Sequence, residues 1–243
     1  MKYEMTEIQL IHQEKKTSGT AWTRNEEFEK NGYLKIEDLY NPEELYHPLP
    51  AARGTLKYWG DNPDNFINVG DEPQVKGSLA RYWHPQYRKV HTNIRKKIEK
   101  IIGRKLYNTY YYDRYYFPGQ KLGKHTDRDA CEISITLNCS SNLPADLKDW
   151  PIKIKTPDTY TDKTNSTILV PGEEHSCVLN PGDGMLYKGV ERPHWRDPMP
   201  IPRRRKRDVI LRKSQKEYYY HQIFFHYVLQ DGQRAHCAWD RAS

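Results

Sequence analysis

The chain has 243 residues, which is enough for one large domain or two small ones and for a substantial buried core. Hydrophobic residues make up only 36% of it, and the 19 tyrosines among them supply much of the apolar volume. A formal net charge of +7 favours anionic substrates or partners, but it is too modest to indicate nucleic acid, and no segment is apolar enough to span a membrane.

The N-terminal third reads as mainly helical. Residues 1–22 are polar and predict an irregular or single-strand lead-in, and "RNEEFEKNGYLKIEDLY" predicts a short helix that ends near Asn31, followed by a strand. In "YNPEELYHPL", Asn41 as N-cap and Pro42 at the first helical position predict a second helix start. Residues 50–86 are rich in turn formers and aromatics and predict only a loop with short elements.

A longer helix is predicted from about residue 87 to 103. Val90, Ile94, Ile98 and Ile101 form one apolar stripe opposite a basic face, and Gly103 closes the segment. This pattern is typical of a helix that packs against a sheet.

After residue 104 the hydrophobic period changes to two. Short β-rich runs such as "LYNTYYYDRYYF", "CEISITLNC", "PIKIKTP", "NSTILVP", "HSCVLN", "GMLYKGV" and "YYHQIFFHYVL" are separated by turn segments, among them "TPDTYTDKTN". Six to eight strands at these intervals predict an α+β protein that is mainly β, an antiparallel sandwich or jelly roll with helices packed outside.

The cellular compartment of the protein is predicted from its cysteines and its N-terminal sequence. "MKYEMTEIQLIHQEKK" lacks the apolar run of a signal peptide. No CxxC pair or dense disulfide framework is formed by Cys131, Cys139, Cys177 and Cys237. We therefore expect a reduced intracellular, cytoplasmic protein.

The stretch "GKHTDRD" holds a potential half of a metal site. His125 and Asp127 are two residues apart, so on a strand they share one face and can converge on one cation. A third ligand should be a histidine from a distant strand. His194 fits best, because the Pro-Gly-Asp-Gly turn and the strand after it carry the chain back toward His125. We interpret His175 as a surface residue and His226 as a core or supporting residue.

Two histidines and one carboxylate leave about three coordination positions open, which suits non-haem iron(II) enzymes. A structural zinc would require four protein ligands, and the cysteines are not spaced to supply them. Asp129, close to these ligands, is interpreted as a turn residue.

Several pieces in this order resemble one known family. Three stretches are similar to parts of the iron(II)- and 2-oxoglutarate-dependent dioxygenases, namely "RYYFPGQKLGKHTDRD", "CEISITLN" and "VLNPGDGMLYKGVERPHW". A weaker similarity is present in "FEKNGYLKIEDLYNPEEL". The resemblance runs from about Tyr107 to Leu229 and is closest to the prolyl-hydroxylase-like and phytanoyl-type branches. It implies a double-stranded β-helix (jelly roll, cupin-like) and His125, Asp127 and His194 as catalytic iron ligands.

Continuous composition from residue 104 to residue 230 argues for a single domain, which the resemblance makes an oxygenase domain over residues 1–243. Residues 1–103 would form a helical support and lid region, and residues 104–230 the double-stranded β-helix core. Trp59, Tyr82 and Trp83 are candidates for part of a substrate cover.

The family's basic anchor for the distal carboxylate of 2-oxoglutarate is missing from its usual place. That anchor follows the second histidine on the final strand, but "HQIFFHYVL" contains no Arg or Lys. Arg196 is the preferred replacement, because it shares the inward face with His194 and its planar fork suits a carboxylate. Tyr116 and then Tyr112 are the candidate hydrogen-bond donors to the same group. The reserve anchors are Arg203, Arg204 and Lys124.

The implied activity is hydroxylation of an unactivated C–H bond, coupled to conversion of 2-oxoglutarate and O2 to succinate and CO2. Fe(II), 2-oxoglutarate and O2 are the implied cofactors and cosubstrates, and ascorbate is a further candidate. The substrate is predicted to be a peptidyl, prolyl-like residue on a protein. A free amino acid or small metabolite stays open, nucleic acid is disfavoured, and a non-catalytic metal-containing β-barrel binding protein remains the alternative class.

Overall fold

The computed structural model describes residues 23–45, 67–69, 74–163, 166–202 and 218–239. The predicted lead-in at residues 1–22, Trp59 and the basic run at 203–207 lie outside these described residues. Within the described part of the chain, no helix is both long enough and apolar enough to cross a membrane. All four cysteines lie in the described residues, and no disulfide joins them.

Two α-helices and thirteen strands make up the regular structure of the described residues. The helices are α1, Glu26–Asn31, and α2, Tyr87–Ile102. In chain order, the strands are β1 Tyr33–Ile36, β2 Ile67–Val69, β3 Leu79–Tyr82, β4 Leu106–Tyr116, β5 Leu122–His125, β6 Ile133–Ser141, β7 Ile152–Lys155, β8 Thr159–Lys163, β9 Ser166–Val170, β10 Glu174–Cys177, β11 Gly184–Tyr187, β12 His194–Arg196 and β13 Tyr220–Leu229.

The helix–strand lead-in forms as the sequence predicts. The Asn25 side chain accepts a hydrogen bond from the Phe28 backbone N–H at 2.9 Å, which caps α1. Gly32 ends the helix in the left-handed region at φ +72°, a conformation that costs glycine little. Strand β1 follows directly.

The prediction of a helix that begins at Pro42 is correct for a single turn and wrong beyond it. Asn41 does cap a 3-10 turn over Pro42–Glu44, with its side chain accepting from the Glu43 N–H. Leu45 is extended at φ −89°, ψ 133°, and its side chain is 3% exposed within the main hydrophobic core. Burial of Leu45 thus overrides the local helix signal.

Helix α2 confirms three of the four residues of the predicted apolar stripe. Val90, Ile94 and Ile98 are buried, and full burial of each such side chain contributes about 2 kcal/mol. Ile101 is only partly buried, and Ile102 is the fully buried residue of the last turn. Gly103 closes the helix at φ +66° and donates its N–H to the Glu99 carbonyl.

Two antiparallel sheets face each other across the interior. The larger has the order β1-β11-β6-β13-β4-β3-β2, and the smaller has the order β10-β7-β12-β5. Strands β4 to β7, and again β10 to β13, alternate between the two sheets, which is the winding of a double-stranded β-helix. The predicted mainly β jelly-roll fold is therefore confirmed.

Three strands are not placed by the sequence. Strands β2 and β3 fall in the segment predicted only as a loop with short elements, and together with the predicted strand β1 they extend the two edges of the larger sheet. "TPDTYTDKTN", predicted as a turn segment, contains β8, which pairs with β9 in a separate hairpin.

Side-chain alternation along β4 and β13 separates two layers of core. Tyr112, Tyr116 and Phe224 point into the space between the sheets, where they pack with Leu122 of the smaller sheet. Residues of the opposite parity, such as Phe225, pack against α2. The long tyrosine-rich strand therefore serves both layers, and its even-numbered side chains face the interior.

Candidate functional site

Two histidines meet where β5 and β12 lie side by side. His125 is the last residue of β5, His194 is the first residue of β12, and the antiparallel register pairs them directly. Their ring centroids are 4.3 Å apart. The sheet topology thus joins two residues that are far apart in the chain.

Asp127 completes a group of three potential ligands. It lies in the loop just after β5, where its backbone N–H donates to the Gly189 carbonyl at 2.9 Å. Its Oδ1 is 3.4 Å from His125 Nε2 and 3.5 Å from His194 Nε2. The structure therefore brings together the three residues that the sequence singles out, one atom from each within 4.8 Å of the others.

The backbone fixes which imidazole nitrogen faces the centre. His125 Nδ1 is 2.9 Å from the Gly123 carbonyl, and His194 Nδ1 is 3.0 Å from the Arg192 carbonyl. Because a carbonyl only accepts, both Nδ1 atoms carry the proton, and each neutral ring presents its Nε2 lone pair to the centre.

Three acceptors therefore converge on one point. The Asp127 carboxylate is also an acceptor, so two lone pairs and a negative oxygen face each other with no proton between them when both rings are neutral. Metal bonds of about 2.1 Å would separate adjacent donor atoms by roughly 3.0 to 3.4 Å. The observed separations are close to that range, and a cation fits this site better than a hydrogen bond does.

The pKa values of Asp127 and His125 reflect their close approach in the cluster. Burial alone would raise the pKa of the Asp127 carboxyl, but the neighbouring imidazoles of His194 and His125 hold it well below its usual range. Burial disfavours the charged form of His125, yet the Asp127 carboxylate and the Gly123 carbonyl outweigh it and raise that pKa. Asp127 is thus an ionised ligand over the whole physiological pH range.

Gly189 allows the close approach around Asp127. A Cβ at this position would lie 2.6 Å from Asp127 Oδ2, 2.3 Å from the Cys131 carbonyl oxygen and 2.9 Å from Ser134 Oγ. Backbone atoms cannot yield to such a contact cheaply. Only glycine therefore fits between the loop and the carboxylate without moving it.

A second layer of side chains, formed by Ser134 and His226, supports the Asp127 carboxylate. Ser134 Oγ lies 3.5 Å from Asp127 Oδ2 and 2.8 Å from His226 Nδ1. Burial lowers the pKa of His226 to about 4, so its imidazole is neutral at physiological pH, and its buried Nε2 has no hydrogen-bond partner among the described residues. Asp127, Cys131 and His226 form a second group of potential ligand atoms that shares Asp127 with the first.

The cluster opens into a cavity of about 360 Å³ between the sheets. Tyrosines form one wall, with Tyr82 stacked on Tyr112 at 4.9 Å and Tyr110 over the His226 ring at 4.5 Å. The lining residues are Gln74, Tyr82, Tyr110, Tyr112, Leu122, His125, Thr126, Asp127, Arg128, Cys131, Tyr187, His194, Phe224 and His226. The volume suits an oxo-acid together with part of a second small molecule or a side chain.

The predicted cofactor-binding residues occupy different places around this cavity. Tyr112 lines it, whereas Tyr116 lies deeper and its hydroxyl is 3.3 Å from Arg114 Nη1. Arg196 is fully buried beyond the lining, donates to the Trp150 carbonyl at 2.7 Å, and stacks between the Trp150 and Tyr220 rings. The role of Arg196 stays a prediction.

The reserve anchors lie away from the cavity or outside the described residues. Lys124 points to the exposed side of β5, where it pairs with Glu174 at 2.7 Å. Arg203 and Arg204 fall among the residues that the structure does not describe.

Other residues considered in the sequence take structural positions. His175 lies on β10 with 40% of its side chain exposed, outside both groups of potential ligands. Asp129 begins a short 3-10 turn and pairs with Arg234 at 2.9 Å. Trp83 packs on Tyr111, so of the two predicted cover residues that the structure describes, Tyr82 lines the cavity and Trp83 does not.

Sequence reasoning missed two residues that contact the site, namely Gly189 and Ser134. Both depend on a close approach between distant segments, which no local pattern reveals.

Sequence comparison finds no matching family model and no matching curated protein. Solved structures do match. This chain is similar to a 2OG-Fe(II) oxygenase family oxidoreductase from Burkholderia pseudomallei, with a TM-score of 0.52 and 7% identity over 89% of this chain and 91% of that one.

Two enzymes of nogalamycin biosynthesis are also similar. The alpha-ketoglutarate-dependent carbocyclase SnoK has a TM-score of 0.51 at 10% identity, over 89% of this chain and 91% of that one. The epimerase SnoN, solved with Fe3+, alpha-ketoglutarate and nogalamycin RO, has a TM-score of 0.51 at 10% identity, over 82% and 80%. At such identities the likeness establishes a shared fold, that of non-haem 2-oxoglutarate oxygenases.

Proposed function

We propose that this protein is an iron(II)- and 2-oxoglutarate-dependent dioxygenase that hydroxylates an unactivated C–H bond. His125, Asp127 and His194 would bind the iron, and 2-oxoglutarate and O2 would be converted to succinate and CO2. The fold shared with SnoK and SnoN supports the cofactor assignment, since those enzymes are described with alpha-ketoglutarate.

One observation carries the proposal. Two imidazole Nε2 atoms, whose rings each direct Nδ1 to a backbone carbonyl, and a carboxylate oxygen converge on a common centre. Two nitrogens and one carboxylate leave coordination positions for other ligands, which distinguishes this set from a closed structural zinc site. The adjoining cavity provides the space for those ligands.

The protein's own residues prepare the site before any ligand arrives. The Gly123 and Arg192 carbonyls hold the two rings in one tautomer, and the Gly189 carbonyl holds the loop that carries Asp127. Iron with 2-oxoglutarate and O2 supplies the oxidising power when bound, whereas the polypeptide binds, orients and excludes water. Tyr112, Tyr116 and Arg196 are proposed to contact 2-oxoglutarate.

The test uses purified protein under anaerobic conditions. Addition of Fe(II) and then 2-oxoglutarate should produce a weak visible charge-transfer band, and admission of air should release succinate. In His125→Ala and His194→Ala, iron affinity should fall by more than the roughly 100-fold that loss of a supporting hydrogen bond can cost. Both the band and succinate formation should then vanish.

His175→Ala is the matched control, because it removes a histidine of the same smaller sheet that lies outside the cluster. It should keep the band and the succinate yield. Full succinate formation by either ligand variant would remove the assignment of the ligands. Metal binding by the wild type with no band and no succinate would instead favour a non-catalytic metal-containing binding protein.

For the substrate, we propose a peptidyl, prolyl-like residue on a protein partner. A cavity of about 360 Å³ holds an oxo-acid and one side chain, and the net charge of +7 favours an acidic partner. A small metabolite is the second candidate, because SnoN was solved with nogalamycin RO. Mass spectrometry after incubation with peptide and metabolite libraries distinguishes them, since the product gains one oxygen atom only with the true class.

A further inference from the structure

We propose that Asp127, Cys131 and His226 form a second cation site, which takes a soft divalent metal ion such as zinc. One ligand atom from each of these three residues lies within 4.8 Å of the other two, and all three side chains line the same cavity. The inference goes beyond the proposed iron centre, with which the second site shares Asp127. It gives a role to a cysteine and a histidine that the proposed reaction does not use.

The two carboxylate oxygens of Asp127 face different neighbours. Oδ1 lies 3.4 Å from His125 Nε2 and 3.5 Å from His194 Nε2. Oδ2 lies on the side of Ser134, whose hydroxyl oxygen is 3.5 Å from it and 2.8 Å from His226 Nδ1. Since one oxygen serves the first cluster and the other faces the second, the carboxylate can bridge two cations, which lie roughly 3.5 to 4 Å apart in known two-metal sites.

His226 supplies the observation that points to a ligand. Its imidazole is buried on β13, and its Nε2 has no hydrogen-bond partner among the described residues. The Ser134 hydroxyl has one proton, and it contacts the Cys131 carbonyl at 3.1 Å and the Asp127 carboxylate, which both only accept. The Ser134 proton therefore goes to these acceptors, His226 Nδ1 donates to Ser134, and Nε2 keeps a lone pair. A buried lone pair without a partner is costly, and a cation would satisfy it.

Cys131 supplies a sulfur ligand beside this lone pair. It is the last residue of the 3-10 turn Asp129–Cys131, its side chain is buried, and it forms no disulfide. Its Sγ lies 3.2 Å from the Tyr110 hydroxyl. A phenol can donate its proton to a metal-bound thiolate, so Tyr110 would hold the sulfur ligand in place.

The donor set selects the class of metal. Thiolate together with imidazole favours zinc and related ions, whereas magnesium and calcium take oxygen ligands. Zinc bonds of about 2.0 to 2.3 Å would place adjacent donor atoms roughly 3.5 Å apart, so side-chain movements of about 1 Å would close the group around the ion. Three protein ligands leave a fourth position open. Because zinc has no redox chemistry, it would act on the neighbouring centre by drawing on the shared carboxylate and by occupying cavity space.

The experiment uses Co²⁺ as the probe, because cobalt replaces zinc and a cobalt–thiolate bond gives a charge-transfer band in the near ultraviolet. Reduced, metal-free, full-length protein is titrated with Co²⁺ under anaerobic conditions. The wild type should bind two ions per chain, one of which produces the thiolate band. Cys131→Ser should lose this band and keep one ion, and the visible absorption of that remaining ion shows that the variant is folded.

Three further variants separate the two sites. His226→Phe keeps an aromatic ring against Tyr110 and should lower cobalt affinity at the second site by more than roughly 100-fold. His194→Ala removes a ligand of the first cluster and should keep the thiolate band. Asp127→Asn should weaken the binding of both ions, because its carboxylate is shared.

Cys177→Ser is the matched control. Cys177 is a buried cysteine on β10 that lies outside both groups of potential ligands. This variant should bind two cobalt ions and keep the thiolate band.

Three results would overturn the inference. The first is a wild type that binds cobalt without a thiolate band, the second is a band that survives Cys131→Ser, and the third is a band that disappears in Cys177→Ser. Failure of the proposed function is different. A wild type with the cobalt–thiolate band, but without a 2-oxoglutarate-dependent band after addition of Fe(II), would retain the second site and remove the oxygenase assignment.

Discussion

Replacement of His91 by phenylalanine should make the protein more resistant to mild acid. The His91 ring lies on α2, buried against Phe225 and Tyr227, and its Nε2 donates to the His226 carbonyl at 3.1 Å. Burial lowers the pKa of His91 to about 3, so the ring stays neutral in the folded chain while the unfolded chain protonates near 6.5. The unfolded state therefore binds more protons below pH 6.5, and stability is lost as the pH falls from 6.5 toward 3.

The magnitude follows from these two pKa values. Relative to pH 7.5, the wild type should lose about 2 kcal/mol of unfolding free energy at pH 5 through His91 alone. His91→Phe escapes this loss but gives up the hydrogen bond to the His226 carbonyl, which costs about 1 kcal/mol. The variant should be less stable than the wild type at pH 7.5 and more stable at pH 5, with the curves crossing near pH 6.

Urea unfolding of metal-free protein at half-unit steps from pH 7.5 to 5 measures these curves. His236→Asn is the control for the loss of a histidine as such, because this side chain is exposed in the folded chain. Parallel curves for wild type and His91→Phe would refute the linkage, since they would mean that His91 titrates alike in the folded and unfolded chains.

Two further substitutions test the packing that supports the site and the sheet. Gly189→Ala should lower iron affinity by roughly 10- to 100-fold in a metal titration, because its Cβ would meet Asp127 Oδ2 and the Cys131 carbonyl. Gly123→Ala should leave iron affinity unchanged, because its Cβ would meet nothing within 4 Å. Equal iron affinities of the Gly189→Ala and Gly123→Ala variants would contradict the steric argument. Asp113→Asn should destabilise the fold by roughly 3 kcal/mol or more in urea unfolding, because it leaves the fully buried Arg81 without its carboxylate. Glu174→Gln, in an exposed pair with Lys124, should cost less than about 1 kcal/mol, and a similar small cost for Asp113→Asn would show that the buried pair matters little.

The parts of the fold that sequence predicts well are those fixed by short-range patterns. Helix α2 follows from apolar residues at helical spacing and a closing glycine, and strand β7 follows from alternation between turn residues. Asn41 carried an equally good local signal, yet the helix stops at Glu44 because Leu45 is drawn into the core. Local propensity decides only where packing leaves the choice open.

The residues of the candidate site also fall into those that a local sequence pattern indicates and those that only the folded chain reveals. His125 and Asp127 are neighbours in sequence, and the turn before His194 indicates a returning strand, so their meeting could be anticipated. Gly189 could not be, because the need for a missing Cβ arises from a loop that touches Asp127 only after folding. Likewise, the sequence offers nothing at Ser134 to show that its hydroxyl lies between His226 and Asp127.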